Sequence, residues 1–321
     1  MGKSKTGASH DAPVFLEPGV VRWGLCCQFL DSPIRFRTAT HRYCSTLETG
    51  RRFEYLSAIV LANAIALGDA VEHCGALGIG AFRITSQIAP LATHPVSGYD
   101  IEDLPDAGPI IAAFTRAKEA ARTADIRLSF HPDQFVVLNS ESPSTMASSV
   151  RELEHQARVA DLVGAEALTL HGGGGVGGES KALTRLEEGV GLLSSKARAL
   201  LALENDDRSF TPTALLPFCE ANRIAFVYDV HHHRCNPDGM PVSEVSNRAA
   251  ATWNGREPWM HISSPRDGWS AINPRPHAEY IEVSDVPEEW MGKRMTIDVE
   301  AKAKERAVLA VKRDAWSGVT A

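Results

Sequence analysis

The chain has 321 residues, of which 44% are hydrophobic and 23% charged, with a formal net charge of −7. That length and balance suit one large α/β domain or two small ones, long enough to bury a full core without disulfide or metal staples, and they exclude a disordered chain. The negative net charge argues against wholesale coating of DNA, where a basic face supplies most of the affinity; it leaves DNA open as a partner, because metal-binding carboxylates count as negative and bound cations invert that charge locally.

Residues 1–19 are rich in Gly, Ser, Lys and Pro and read as a loose tail. No apolar h-region marks a secretory signal, and no apolar run reaches the ~18–20 residues that span a bilayer, so no membrane partner is expected. The six cysteines show no paired metal spacing and read as reduced thiols of a cytoplasmic protein. A first strand covers 20–28. Across 51–77, Leu56, Val60, Asn63, Leu67, Val71 and Cys74 recur at three- and four-residue spacing, which predicts an amphipathic helix ended by Gly75 and Gly78. A strand at 80–84, a helix at 109–124, a strand at 126–130 and a helix at 144–163 follow. The next strand ends at His171, a glycine run fills 172–178, and a helix covers 180–197. The strand at 200–203 runs into Glu204, and Thr211 caps a helix that opens on Pro212, a favoured first-turn residue. After the strand at 223–228 come a helix at about 241–251 and a short strand at 259–260. A Pro- and Gly-rich loop (265–276), a helical piece at 279–291, a last strand at 294–299 and a closing helix at 301–314 complete the chain.

Eight strands in strict alternation with helices predict a parallel sheet with crossover helices, and eight such units in this length predict a single α/β domain, a (β/α)8 TIM barrel spanning 20–316. An open doubly wound sheet is the alternative, without the Gly-x-Gly-x-x-Gly turn of its dinucleotide-binding form. His131, His171, Glu204, Asp229, His261 and Glu300 each follow an apolar strand directly. A barrel brings all six to one rim, where such folds keep their chemistry. A lone strand-end His is usually just hydrogen-bonded; six metal-type residues at six strand ends are not readily assigned to chance. His131, His171 and Glu204 suit one ion; Glu204, Asp229, His261 and Glu300 suit a second, with Glu204 bridging; His232 and His277 suit a third. Two or three divalent ions, Mn or Zn, are therefore expected, of the paired kind that clamps a phosphoryl displacement. Lys302, two residues past Glu300, is placed to touch phosphate.

The same segments resemble the UV damage endonucleases, relatives of abasic-site endonucleases on a metal-binding barrel. The resemblance rests on Phe82-Arg83-Ile84, His94-Pro95 with Tyr99-Asp100, His131-Pro132 with Gln134, and His171-Gly172-Gly173. It continues through Glu204-Asn205-Asp206, Asp229-Val230-His231-His232, His261-Ile262-Ser263-Ser264, His277 and Val299-Glu300-Ala301-Lys302. It implies an enzyme that kinks duplex DNA and incises the backbone 5′ to a damaged base, by attack on phosphorus of hydroxide held at the metals. Glu204, His277, Lys302 and His94 are then catalytic, and a monomer acts on lesion-bearing double-stranded DNA. Gln134 and Phe135, with Leu25 and Phe29 of the first strand and its loop, occupy the positions that probe the lesion. The chain departs from the family there: Leu25 and Phe135 stand in place of Tyr, Phe29 in place of Asn, and Trp259 in place of a Lys. Two other readings compete. A metal-dependent sugar isomerase or epimerase shares the barrel and the ligand types, and a binding module that has lost catalysis would explain the altered probing residues.

Overall fold

The computed structural model describes residues 19–317. Apart from Gly19, whose N–H donates to the Gly292 carbonyl at 2.9 Å, the expected tail lies outside the described residues. Eight parallel strands close in sequence order into a barrel: β1 (Val21–Cys26), β2 (Ala81–Ile84), β3 (Arg127–Phe130), β4 (Ala167–His171), β5 (Leu201–Glu204), β6 (Ala225–Asp229), β7 (Trp259–Ile262) and β8 (Met295–Val299).

Alternation along each strand separates two populations of side chains. Phe82, Ile84, Leu128, Phe130, Leu168, Leu170, Leu203, Phe226, Tyr228, Met260 and Ile297 belong to the main apolar core shared with the helices. The alternate positions Ala81, Ala167, Ala202, Ala225, Val227 and Trp259 form a separate small cluster inside the barrel. The Arg127 guanidinium stacks on the Trp259 ring at 4.1 Å and bonds Thr296 Oγ1, so the lower barrel is filled by one large ring and one cation among alanines. Gly24 admits β8 at close range, since a Cβ there would lie 2.2 Å from Asp298 Oδ1.

The helices α1 (His41–Cys44), α2 (Thr49–Leu77), α3 (Ala107–Thr123), α4 (Pro143–Val163), α5 (Glu179–Gly191), α6 (Ser195–Leu200), α7 (Pro212–Asn222), α8 (Val230–Cys235), α9 (Val242–Ala251) and α10 (Glu305–Ser317) flank the strands. The face predicted for α2 is the buried one: Leu56, Val60, Asn63, Leu67, Val71 and Cys74 are all enclosed. By length and composition alone α2 is long and apolar enough to cross a membrane, but 56% of its apolar window is buried inside the fold.

Four local expectations are corrected. The helix predicted over 180–197 is two, α5 and α6, because Ser194 starts a second helix by accepting from Ala197 N. The helical piece at 279–291 amounts to two single 3-10 turns, Val283–Asp285 and Glu288–Trp290, in a stretch interrupted by Pro287. Thr211 precedes α7 without a side-chain cap; instead Asp238 Oδ2 accepts from Thr213 N at 2.7 Å. The closing helix begins at Glu305 rather than 301, since Ala301 to Lys304 form a turn and Lys304 has φ 51°.

Candidate metal centre

The ligand-type residues continue the inward alternation to the C-terminal ends of the strands, which explains their convergence. Glu204 ends β5 and is completely buried. Its Oε2 lies 2.8 Å from His131 Nε2 and 3.9 Å from His171 Nδ1; its Oε1 lies 3.0 Å from His261 Nδ1 and 3.4 Å from His232 Nδ1. Four imidazoles, from β4, β7, the loop after β3 and α8, therefore surround one carboxylate. Burial opposes ionisation of Glu204, but His261 and His171 outweigh it and hold its carboxyl well below the usual range. Burial likewise opposes charge on His232, yet Asp229 and Glu204 raise its ring well above the ordinary imidazole value. His171 goes the other way, lowered by burial despite Glu204.

Two sets of side chains place their ligand atoms within 4.8 Å of one another: His131, His171 and Glu204, and Glu204, Asp229, His261 and Glu300. These are the two sets expected from sequence, with Glu204 common to both. The donor chemistry fits divalent cations. Asp229 Oδ2 and His171 Nδ1 are buried without a hydrogen-bond partner, and such orphaned acceptors are costly unless an ion completes them. Asn205 registers the two strand ends, donating to the Asp229 carbonyl at 2.8 Å and accepting from its N–H at 3.0 Å. Asp206 accepts from the N–H groups of Arg208 and Phe210 and so fixes the following loop.

Sequence reasoning missed Arg83 and Asp298. Arg83, on β2, donates from Nε to Asp298 Oδ2 at 3.1 Å and from Nη2 to Glu300 Oε1 at 2.6 Å. Glu300 thus has one oxygen engaged, while Oε2 lies 3.7 Å from His277 Nδ1. Burial would raise the Glu300 carboxyl, but Arg83 and His261 outweigh it and keep it far below the usual range. The signal available in sequence was a lone Arg at an inward position of a four-residue buried strand.

The expected third pair is less closely joined. The His232 and His277 rings are 6.4 Å apart, and His231, not singled out from sequence, stands 5.2 Å from His277 with its Nδ1 buried and unpartnered. Lys302 is exposed in the turn after β8. His94 lies in the loop after β2, its ring stacked on His41 at 4.1 Å and its Nδ1 accepting from Val96 N and Ser97 N. Burial, then His41, lowers its pKa. It lines a cavity of about 570 Å³ with Gln87, Asp133, Phe135, Ser148 and Arg151.

The residues expected to probe a substrate divide. Gln134 is exposed, and Phe135 is 76% exposed, three and four residues past His131. Leu25 and Phe29 are instead core residues: Leu25 sits at an outward position of β1 in the helix-packed core, and the Phe29 ring stacks on Phe82 at 5.7 Å. Neither presents a side chain to solvent, because an apolar replacement at these positions buries itself. Trp259 lies two residues before His261 on the same face of β7, below the ligands in the barrel interior.

The family model for UV-endonuclease UvdE matches residues 21–320. The chain belongs to the UvdE family of UV endonucleases. It is a DNA-repair endonuclease, which decides between the two enzyme readings and against the sugar isomerase or epimerase. A UV DNA damage endonuclease of Deinococcus radiodurans is 34% identical over 312 residues, 91% of this chain and 95% of that protein. The crystal structure of SacUVDE covers 93% of this chain and 99% of its own with a TM-score of 0.79 and 25% identity. Endonuclease IV from Thermus thermophilus shares the fold, with a TM-score of 0.59 at 16% identity over 93% of this chain and 99% of that one.

Proposed function

We propose that this UvdE-family endonuclease is a metal-dependent phosphodiester hydrolase that cuts the DNA backbone 5′ to UV-type or other base lesions. The observation that carries the reading is the sharing of Glu204: its two oxygens face two separate ligand sets. His131, His171 and Glu204 would hold one divalent ion, and Glu204, Asp229, His261 and Glu300 a second, Mn or Zn; His232 and His277 would complete a weaker third. When bound, such ions supply Lewis-acid charge stabilisation for a phosphoryl displacement and lower the pKa of water.

The chain's own residues do the rest. Arg83 holds Glu300 in one orientation, and Asn205 holds Asp229. His277, at the open edge of the cluster, and Lys302, exposed beside it, are in place to meet the scissile phosphate and its leaving oxygen. Gln134 and Phe135 project from the loop after β3 to enter the base stack of a kinked duplex, as inserted side chains do. The cavity beside Phe135, with His94 in its wall, gives a displaced base a recess. The protein works as a monomer in the cytoplasm, its ligands neutralised by the ions so that the net charge does not repel the duplex.

A nicking assay on UV-irradiated supercoiled plasmid with Mn²⁺, beside elemental analysis of the purified protein, tests this. Wild type should nick irradiated plasmid selectively and contain or bind at least two divalent ions per chain, and Glu204→Gln should lose both ions and activity. Protein that nicks equally well in chelator, or that binds no transition metal on titration, would overturn the reading.

A further inference from the structure

The loop between β7 and His277 is a built projection rather than a loose connection. Pro265 pairs with His277 as an antiparallel bridge, and Arg266 N donates to the Pro276 carbonyl at 2.7 Å. Higher up, Gly268 N and Ala271 N bond back to Pro265 and Gly268 carbonyls. Two side contacts brace it: Trp269 Nε1 donates to Asp285 Oδ1 at 2.8 Å, and His231 Nε2 meets the Arg275 carbonyl at 3.1 Å. At the tip stands Ile272, fully exposed, with Trp269 partly exposed behind it.

A β-branched apolar side chain held out in water by a braced hairpin gains nothing from its position in the free protein. Its location says what covers it. The base of the hairpin is His277, whose Nδ1 lies 3.7 Å from Glu300 Oε2, so hairpin and ligand cluster form one unit. Ile272 lies five positions before His277, a reach of up to ~18 Å at ~3.3–3.6 Å per residue. In an eight-strand ring β7 lies diametrically across from β3, so Ile272 and the exposed Phe135 rise from opposite walls of the same rim. Lower in the hairpin, where Arg266 N meets the Pro276 carbonyl, stand Arg266 and Arg275; Arg266 makes a weak surface pair with the exposed Asp267 of the kind that a phosphate displaces, and Arg275 pairs with the half-buried Asp207. An apolar tip above two guanidinium groups matches a base step with its neighbouring backbone phosphates.

We propose that Ile272 is a second apolar pin, inserted into the substrate duplex from the side opposite Phe135, so that the lesion step is gripped across the metal centre. The proposal rests on the lesion-endonuclease reading and deepens it. A kinked duplex opens its stack at one step, and an aliphatic wedge there replaces lost stacking contact while the two arginines hold the flanking backbone.

The test is equilibrium binding of wild type, Ile272→Ala and Ile272→Leu to duplexes with and without a single thymine photodimer, in Ca²⁺ and at fixed salt. A 2-aminopurine base beside the lesion reports unstacking. Ile272→Ala should bind the lesion duplex about tenfold more weakly, change intact-duplex binding less than about twofold, and lose most of the 2-aminopurine signal; Ile272→Leu should recover both. Because Ile272 is fully exposed, the melting temperature should not move. Wild-type lesion affinity in Ile272→Ala, or equal losses on both duplexes, would overturn the pin while wild-type nicking still upheld the endonuclease reading. Wild type that neither prefers nor nicks the lesion duplex would overturn that reading, and the pin with it.

Discussion

Arg83 Nη2 donates to Glu300 Oε1 at 2.6 Å from inside the barrel, placing a fixed cation against a carboxylate of the candidate metal centre. Arg83 thereby supports two buried acids, Asp298 and Glu300, at once. Removing one partner of a buried pair leaves an uncompensated charge and costs about 3–5 kcal/mol. Arg83→Met should therefore lower the denaturation midpoint clearly, whereas Arg83→Lys, keeping the charge but unable to fork between two acids, should fall between. Because a bound cation neutralises Glu300 in place of Arg83, Mn²⁺ should recover part of the Arg83→Met deficit. Denaturant titrations of both variants with and without Mn²⁺ check this; an Arg83→Met protein as stable as wild type would refute it.

Phe135 is 76% exposed and close along the chain to His131. Losing an aromatic that stacks on a base costs ~1–3 kcal/mol. Phe135→Ala should weaken binding to lesion duplex by roughly tenfold, at ~1.4 kcal/mol per decade, and leave intact duplex nearly unchanged, since phosphate contacts dominate there. Phe29→Ala should behave differently: its ring is in the core, so it should lower stability and leave the lesion-to-intact affinity ratio alone. Parallel binding and melting curves distinguish the two.

Asp238 ties α7 to the loop after α8, accepting from Thr213 N at 2.7 Å, Met240 N at 2.9 Å and His233 Nε2 at 2.9 Å. Burial would raise its carboxyl, but these donors outweigh burial and hold it well below the usual carboxylate range. A depressed pKa contributes stability that is fully present above the unfolded value of ~3.9 and is lost as pH falls through the folded value. Asp238→Asn should be destabilised at neutral pH by about 0.5–2 kcal/mol, the scale of a lost helix cap. The gap to wild type should narrow below about pH 4. Urea midpoints of the two proteins from pH 7 to pH 3 give the comparison; a gap independent of pH would contradict the assignment.

Burial pushes the thiols of Cys26, Cys27, Cys44, Cys74 and Cys219 upward, and burial with Asp207 pushes Cys235 up to about 11. Thiolate is the reactive form, so raised values mean slow reaction near neutral pH. Native protein at about pH 7.5 should release less than about one equivalent of chromophore from Ellman's reagent within minutes, and all six only after unfolding. Rapid titration of a native thiol would show an open site near it.

The barrel and the clustering of its metal-type side chains were legible because strand ends and chemistry coincide. His171, Glu204 and Asp229 each close a strand, so their position directly after an apolar run carried the reading to the rim. What was not legible depends on partners distant in sequence. Leu25 and Phe29 were placed by resemblance to polar or aromatic probes, but apolar side chains at those positions pack against Phe82 and α2 instead. Thr211 looked like a cap, yet the helix takes its cap from Asp238, 25 residues from Thr213. Arg83 stands in the Phe82-Arg83-Ile84 motif with nothing nearby to assign it a role, because its partners Asp298 and Glu300 lie more than 200 residues away. Within the glycine run at 172–178, Asn139 pins Gly174 through both its N–H and its carbonyl, a partner 35 residues away that the run itself does not announce.

The Trp259 layer has an evolutionary consequence. The indole shares its compartment with Ala81, Ala167, Ala202 and Ala225, residues small enough to leave room for it and for the Arg127 guanidinium stacked upon it. Placing a lysine at 259 would empty that space and bring a second cation beside Arg127, which Glu166 and Glu257 already pair, at a cost on the order of the 3–5 kcal/mol of a large core truncation. The lysine is thus costly as a single step. It becomes less costly once an alanine of the neighbouring strands has grown or Arg127 has been exchanged, so the packing beneath the ligands constrains the order in which these positions change.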